Sequence, residues 1–170
     1  LALSNSDEFF VNDQNWKNSL YNINGKYETL GLWKPFINAP FTKLTNGCSD
    51  PYDFFTNQEA IDFQKNCARY VINRYGYSTS IMSWEILNEI ANINIPTADG
   101  IEMTNWVQTM SDYIKSIDPN LHLVTCSTGN AIWSPNQKIK DVVTKICNTV
   151  DYTDDHEYFW NGFINPNRPA

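Results

Sequence analysis

Three short apolar segments, separated by longer stretches with three- and four-residue spacing, constrain this chain more than any other feature. Ala60, Phe63, Cys67, Ala68, Val71, Ile72 and Tyr75 recur at helical intervals until Gly76, and Thr56 with Glu59 has the form of a capping box at the start. Ile81 to Leu87 is then short and mostly apolar, as a parallel strand covered on both faces should be. Met103, Trp106, Val107, Met110, Tyr113, Ile114 and Ile117 predict a second amphipathic helix, ended by Asp118-Pro119-Asn120, with a second strand at Leu121 to Cys126. A third helix is expected over Gln137 to Cys147 through Ile139, Val142, Val143 and Ile146, followed by a more polar strand over Val150 to Tyr158. Strands that alternate with helices imply right-handed βαβ units and a parallel sheet, so the fold class is α/β.

The segment from Asn5 to Phe55 is different in kind. It has little periodicity, apart from a possible short helix over Val11 to Leu20, yet it carries Phe9, Phe10, Trp16, Tyr21, Tyr27, Trp33, Phe36 and Phe41. So many aromatics argue against disorder, and a connection of this length in a compact domain points to a functional loop. About half of these rings should belong to the core.

Charge and composition exclude several functions. A net charge of -7 without a Lys/Arg run argues against a nucleic-acid partner, because binders of phosphate backbones present basic patches. No apolar run approaches the ~20 residues that a membrane-spanning helix needs. No secretory leader pattern is present, and Cys48, Cys67, Cys126 and Cys147 form neither a disulfide scaffold nor a CxxC zinc pair. Cys67 and Cys126 read as buried free thiols. No repeat, low-complexity tract or linker divides residues 1–170, which are expected to form one domain or part of one.

Two acids lie in and just after the first strand. Successive strand residues face opposite sides, so Glu85, Leu87 and Glu89 share one face and Trp84, Ile86 and Asn88 the other. Glu85 would then be deep in the sheet, where a carboxylate is costly unless paired, and it reads as structural. Glu89 falls at the strand's carboxyl end, the functional rim of α/β folds. Position alone allows either a solvated loop acid or a catalytic one.

Here the text becomes specific. Arg69-Tyr70-Val71-Ile72-Asn73-Arg74-Tyr75-Gly76-Tyr77-Ser78 followed by Ile81-Met82-Ser83-Trp84-Glu85-Ile86-Leu87-Asn88-Glu89 resembles the helix and fourth strand of retaining (β/α)8 glycoside hydrolases, the clan of family 5 cellulases and β-mannanases. Leu121 to Thr125 is similar to that clan's fifth strand, His156-Glu157-Tyr158 to its sixth-strand His-x-Tyr, Leu1 to Ser6 to the end of its third strand, and Asp53-Phe54-Phe55-Thr56 to the start of the following helix. The ordered set covers most of the chain.

The resemblance implies a partial (β/α)8 barrel, roughly its third to sixth strand units, that acts on an oligosaccharide or polysaccharide with β-linkages. It implies no cofactor and no metal, no nucleic-acid or membrane partner, and a secreted or cell-surface location. Carried over by residue, it makes Glu89 the general acid/base and Asn88 a donor to the sugar 2-hydroxyl, with His156 and Tyr158 lining the cleft. A glycosidic oxygen leaves poorly unless protonated, and a carboxylic acid beside it can supply that proton and later activate water. A hydrogen bond from Asn88 that strengthens as oxocarbenium character develops favours the transition state over the substrate. Trp16, Trp33 and Trp160 fall in loops and are candidates for stacking on sugar rings.

Parts of the pattern depart from the clan. Asp154 and Asp155 precede His156 where apolar residues are usual, and Asp155 would place a charge beside the imidazole. His122, inside a strand, reads as structural. A retaining mechanism also needs a second carboxylate about 5 Å from the first. That clan places it on the seventh strand, and neither Glu102 nor Glu157 matches the position. At 170 residues the chain is shorter than the about 250 of a full barrel. It opens on strand-like Leu1-Ala2-Leu3-Ser4 and ends without a closing element, so the expectation is a central fragment that lacks the nucleophile and normal turnover. The competing expectation is a carbohydrate-binding or interaction domain that keeps the cleft but not the hydrolysis. A metal-dependent hydrolase is disfavoured, because two histidines cannot supply a His-rich site.

Overall fold

The computed structural model describes Leu3 and residues 39–93, 100–129 and 136–156. Three strands, β1 (Ser83–Glu85), β2 (Leu123–Ser127) and β3 (Tyr152–Asp154), form a parallel sheet in sequence order. The helices are α1 (Gln58–Tyr75), α2 (Ile101–Ile117) and α3 (Gln137–Cys147). α2 packs between α1 and α3 and against β2, and this is the alternation that the periodicity predicts. These are parallel strand–helix units of a partial (β/α)8 barrel.

Register fixes which side chains meet. Ser83, Trp84 and Glu85 lie opposite Leu123, Val124 and Thr125, while Thr125, Cys126 and Ser127 lie opposite Tyr152, Thr153 and Asp154. Alternation therefore puts Trp84, Val124 and Cys126 on the helix-covered face, all three with no exposed surface. Ser83, Glu85, Thr125, Ser127 and Tyr152 share the other face, where the Ser83 and Tyr152 hydroxyls meet at 2.6 Å. Oε1 of Glu85 is buried on that side with no hydrogen-bond partner among the described residues. Leu3 donates its N–H to the Glu85 carbonyl at 2.8 Å, which lays this residue of the expected preceding strand beside β1.

Several boundaries differ from the sequence expectation. β1 is confined to Ser83–Glu85 rather than Ile81 to Leu87, although Ile86 still donates to the Thr125 carbonyl at 2.8 Å. β3 ends at Asp154, two residues before His156. α1 is capped by Asn57 and not by Thr56: the Asn57 side chain accepts from Ala60 N. Thr56 is already committed, because it closes the 3-10 helix Pro51–Phe55 with its N–H on the Asp53 carbonyl. Glu59 turns to Asn46 instead of completing a capping box, bonding its backbone N–H and its side-chain amide. The most buried row of α1 is Ala60, Gln64, Ala68 and Ile72, so Tyr75 stands exposed at its end. The short helix expected over Val11 to Leu20 lies outside the described residues.

The described part of the aromatic segment is core. Phe41, Phe54 and Phe55 pack around Trp106 of α2, with ring centroids 4.8 Å apart for Phe41–Phe54, 5.1 Å for Phe54–Trp106 and 5.4 Å for Phe55–Trp106. Buried rings of this size each remove large apolar areas from water and clamp residues 39–55 onto the helices. Gly100, at the start of α2, has φ +57 and lies where a Cβ would be 2.7 Å from Cγ2 of Val142, so both its backbone and the α2–α3 approach require glycine. The cysteines are free thiols; Cys67 is only partly buried, contrary to expectation, because the buried row of α1 runs through Gln64 and Ala68, whereas Cys126 is fully buried, and its burial raises the thiol's pKa far above its ordinary value, with the nearby Glu85 adding to the shift.

Candidate active site

In a parallel sheet all carboxyl ends open on one edge, and here the candidate residues collect there. β1 runs out through Ile86 and Leu87, both buried, to Asn88 and Glu89. Glu89 turns the chain with φ 54 and ψ 48, a left-handed conformation that an L-residue with a long side chain adopts at a cost of roughly 1–2 kcal/mol. Ile90, with no exposed surface, begins the 3-10 helix Ile90–Asn92 and anchors the turn from the other side. Strain at one residue persists only where its surroundings over-determine it.

The central strand supplies that constraint. Ser127, the last residue of β2 and fully buried, accepts the Glu89 backbone N–H at its hydroxyl oxygen at 2.7 Å. The same hydroxyl donates to Asn88 Oδ1 at 3.3 Å. Next in sequence, Thr128 donates its N–H to the Asp154 carbonyl at 3.0 Å and its hydroxyl to Asp155 Oδ1 at 2.9 Å. Neighbouring residues of β2's carboxyl end thus hold the segment after β1 on one side and the segment after β3 on the other.

The result is a direct contact between Glu89 and His156. Glu89 Oε1 lies 2.9 Å from His156 Nδ1, with side-chain exposures of 12% and 26%. A carboxyl group and an imidazole at hydrogen-bond distance, each with some access to solvent, can exchange a proton and pass it outward. Of the two unexpected acids, Asp154 has its Oδ2 3.9 Å from His156 Nε2, while Asp155 bonds Thr128. His122 lies at the opposite end of the sheet against Asp118, in keeping with a structural role.

The structure therefore brings together Asn88, Glu89 and His156. Tyr158, Trp16, Trp33 and Trp160 lie outside the described residues. Glu102 sits in the first turn of α2, where it accepts the Tyr52 hydroxyl at 3.0 Å. Sequence reasoning overlooked Ser127 and Thr128. The available signal was a pair of hydroxyl residues directly after the apolar Leu123-Val124 and Cys126, at the level where a buried strand meets the functional edge.

Parallel strand–helix units of this kind are those of part of a (β/α)8 barrel. A family model described as GH family 5 beta-mannosidase-like matches residues 43–169, and the chain belongs to that family. Among curated relatives, a probable mannan endo-1,4-beta-mannosidase A of Aspergillus flavus is 38% identical over 100 residues, covering 56% of this chain and 23% of the relative. Mannan endo-1,4-beta-mannosidase 1 of Arabidopsis thaliana is 37% identical over 86 residues, covering 46% and 20%. Mannan endo-1,4-beta-mannosidase A of Aspergillus aculeatus is 37% identical over 82 residues, again covering 46% and 20%. The matched region is thus about a fifth to a quarter of those relatives' length.

Proposed function

We propose that this chain is part of an endo-acting hydrolase of β-1,4-linked mannan that works by retaining double displacement, with Glu89 as its general acid/base. The observation that carries the reading is the Glu89–His156 hydrogen bond at the carboxyl edge of the sheet. The substrate class comes from the names of the relatives, all mannan endo-1,4-beta-mannosidases. In the first step Glu89 gives its proton to the glycosidic oxygen while a carboxylate outside these residues attacks the anomeric carbon. In the second, the ionised Glu89 takes a proton from water as that water attacks the anomeric carbon and displaces the enzyme carboxylate.

Asn88 donates to the sugar 2-hydroxyl in this reading, and its Oδ1 contact with Ser127 turns the amide's NH2 group the other way, as a donor requires. His156, with Tyr158 two residues on in sequence, lines the cleft, and its imidazole holds the Glu89 carboxyl by the 2.9 Å contact. Trp16, Trp33 and Trp160 stack on sugar rings, and the setting is secreted or cell-surface. No helix among the described residues is long and apolar enough to cross a membrane.

The test is Glu89→Gln in the protein that carries this chain with all its flanking sequence. Loss of β-mannan hydrolysis with the fold retained supports the assignment. Undiminished hydrolysis removes it, and binding of mannan without product release from the unaltered protein favours a non-catalytic module.

A further inference from the structure

We infer that Ser127 is the positioning residue of the acid/base, an inference that rests on the proposed role of Glu89. Three observations converge on its hydroxyl. It is fully buried, at the last position of the central strand, and takes the backbone N–H of Glu89, the one non-glycine residue at this edge held in the left-handed region among the described residues. That N–H receives a side-chain oxygen beyond the last ladder residue of β1, so a β2 side chain takes part in setting the turn's geometry. The same oxygen orients Asn88, and its neighbour Thr128 ties down Asp155, one residue before His156.

The carboxyl of Glu89 and the imidazole of His156 reach each other from two different strands, β1 and β3, which share no backbone ladder. β2 lies between them, so their separation depends on how the two flanking turns are fastened to it. Ser127 fastens one and Thr128 the other. Removing the Ser127 hydroxyl frees the Glu89 turn to relax toward an ordinary backbone conformation, which moves its carboxyl away from the leaving-group oxygen. General-acid catalysis is steep in that distance, and a misplacement of about 1 Å can cost on the order of 100-fold in rate.

The consequence differs between substrates. A mannan linkage needs a proton on its leaving oxygen, whereas a dinitrophenyl β-mannoside departs without one. Values of kcat/KM report only the step that breaks the glycosidic bond. In the protein with all its flanking sequence, Ser127→Ala should lower kcat/KM on β-mannan by roughly 30-fold, and by about tenfold less on the dinitrophenyl glycoside. The alkaline limb of its pH profile should move as well. Ser127→Thr, which restores a hydroxyl, should recover most of the loss, and Thr128→Val should reproduce the pattern more weakly from the His156 side.

Equal losses on both substrates with an unmoved pH profile would show a merely structural hydroxyl and overturn the inference. So would wild-type activity of Ser127→Ala on β-mannan. Glu89→Gln in parallel separates the two levels. If it abolishes β-mannan turnover while Ser127→Ala changes nothing, the positioning role fails alone; if it changes nothing, the reading of Glu89 fails first.

Discussion

Two carboxylate–imidazole pairs occupy opposite ends of the same sheet. At the amino end, Asp118 Oδ2 lies 2.7 Å from His122 Nδ1. It also accepts the His122 backbone N–H and the indole N–H of Trp84 at 2.8 Å, while Oδ1 takes the N–H of Asn120. Three of these four donors carry protons that do not titrate. Burial alone would raise this carboxyl, but the hydrogen bonds from Trp84, His122 and Asn120 outweigh it and hold it below the ordinary aspartate range. At the carboxyl end Glu89 meets a titratable partner from another strand, with 12% of its side chain open to solvent against 1% for Asp118. The same two functional groups are locked as a joint at one end and left able to exchange a proton at the other. Burial and the kind of donor make the difference.

The sharpest way to break that comparison is to disable each acid and read both activity and stability. Glu89→Gln should reduce β-mannan turnover by about 1000-fold, within the range general acids supply, and leave the urea midpoint nearly unchanged. A large stability loss instead would place Glu89 in the same class as Asp118. Asp118→Ala should do the reverse. It strands the indole, the imidazole and two backbone N–H groups in a site with 2% exposure, and should cost about 3 kcal/mol or more in urea unfolding. A loss below about 1 kcal/mol would mean that the network is ornamental.

Acid titration sharpens the contrast further. Because the Asp118 carboxyl is depressed in the folded state, the unfolded chain binds more protons near its own pKa of about 3.9, so stability rises with pH there. The contribution is complete above that value and disappears as pH falls through the lower, folded one. Urea midpoints measured from pH 6 down to pH 3 should therefore fall less steeply for Asp118→Asn than for the unaltered protein. Parallel curves would assign the acid limb to Asp53, Asp151 and Glu59, whose carboxyls are also depressed: burial alone would raise Asp53 and Asp151, but hydrogen bonds from the Ser49 hydroxyl and the backbone N–H groups of Asp50 and Ser49 to Asp53, and from Lys115 and Val124 N–H to Asp151, outweigh it, and the backbone N–H and side-chain amide of Asn46 lower Glu59.

The smallest effect concerns the turn beside Asp118. Leu121 has φ 54, the other non-glycine residue in the left-handed region among the described residues, and is 74% exposed. Leu121→Gly should raise stability by up to about 1 kcal/mol, because it relieves the backbone while giving up little burial. A decrease in Tm would show that the exposed leucine contributes more than its conformation costs.

The sequence made the architecture legible because helix and strand periodicities are local. α2 and α3 fall where Met103 to Ile117 and Gln137 to Cys147 place them. The cap of α1 was misplaced by one residue, since nothing near Thr56 announces that a 3-10 helix before it will claim that residue. Asn88, Glu89 and His156 were legible as an ordered set, and they meet. Ser127 was not, because it lies 38 positions from Glu89 and its importance depends on the β1–β2 register, which no local pattern encodes.

The left-handed backbone at Glu89 also bears on how such a protein responds to improvement. Glycine or asparagine would relax that turn, so a screen that rewards only thermal resistance would favour removing the carboxyl on which the proposed chemistry depends. Stabilisation should be sought at Leu121, where the same backbone geometry carries no such duty. Two residues with matching torsion angles therefore mark where this chain can be made more robust and where robustness would erase its purpose.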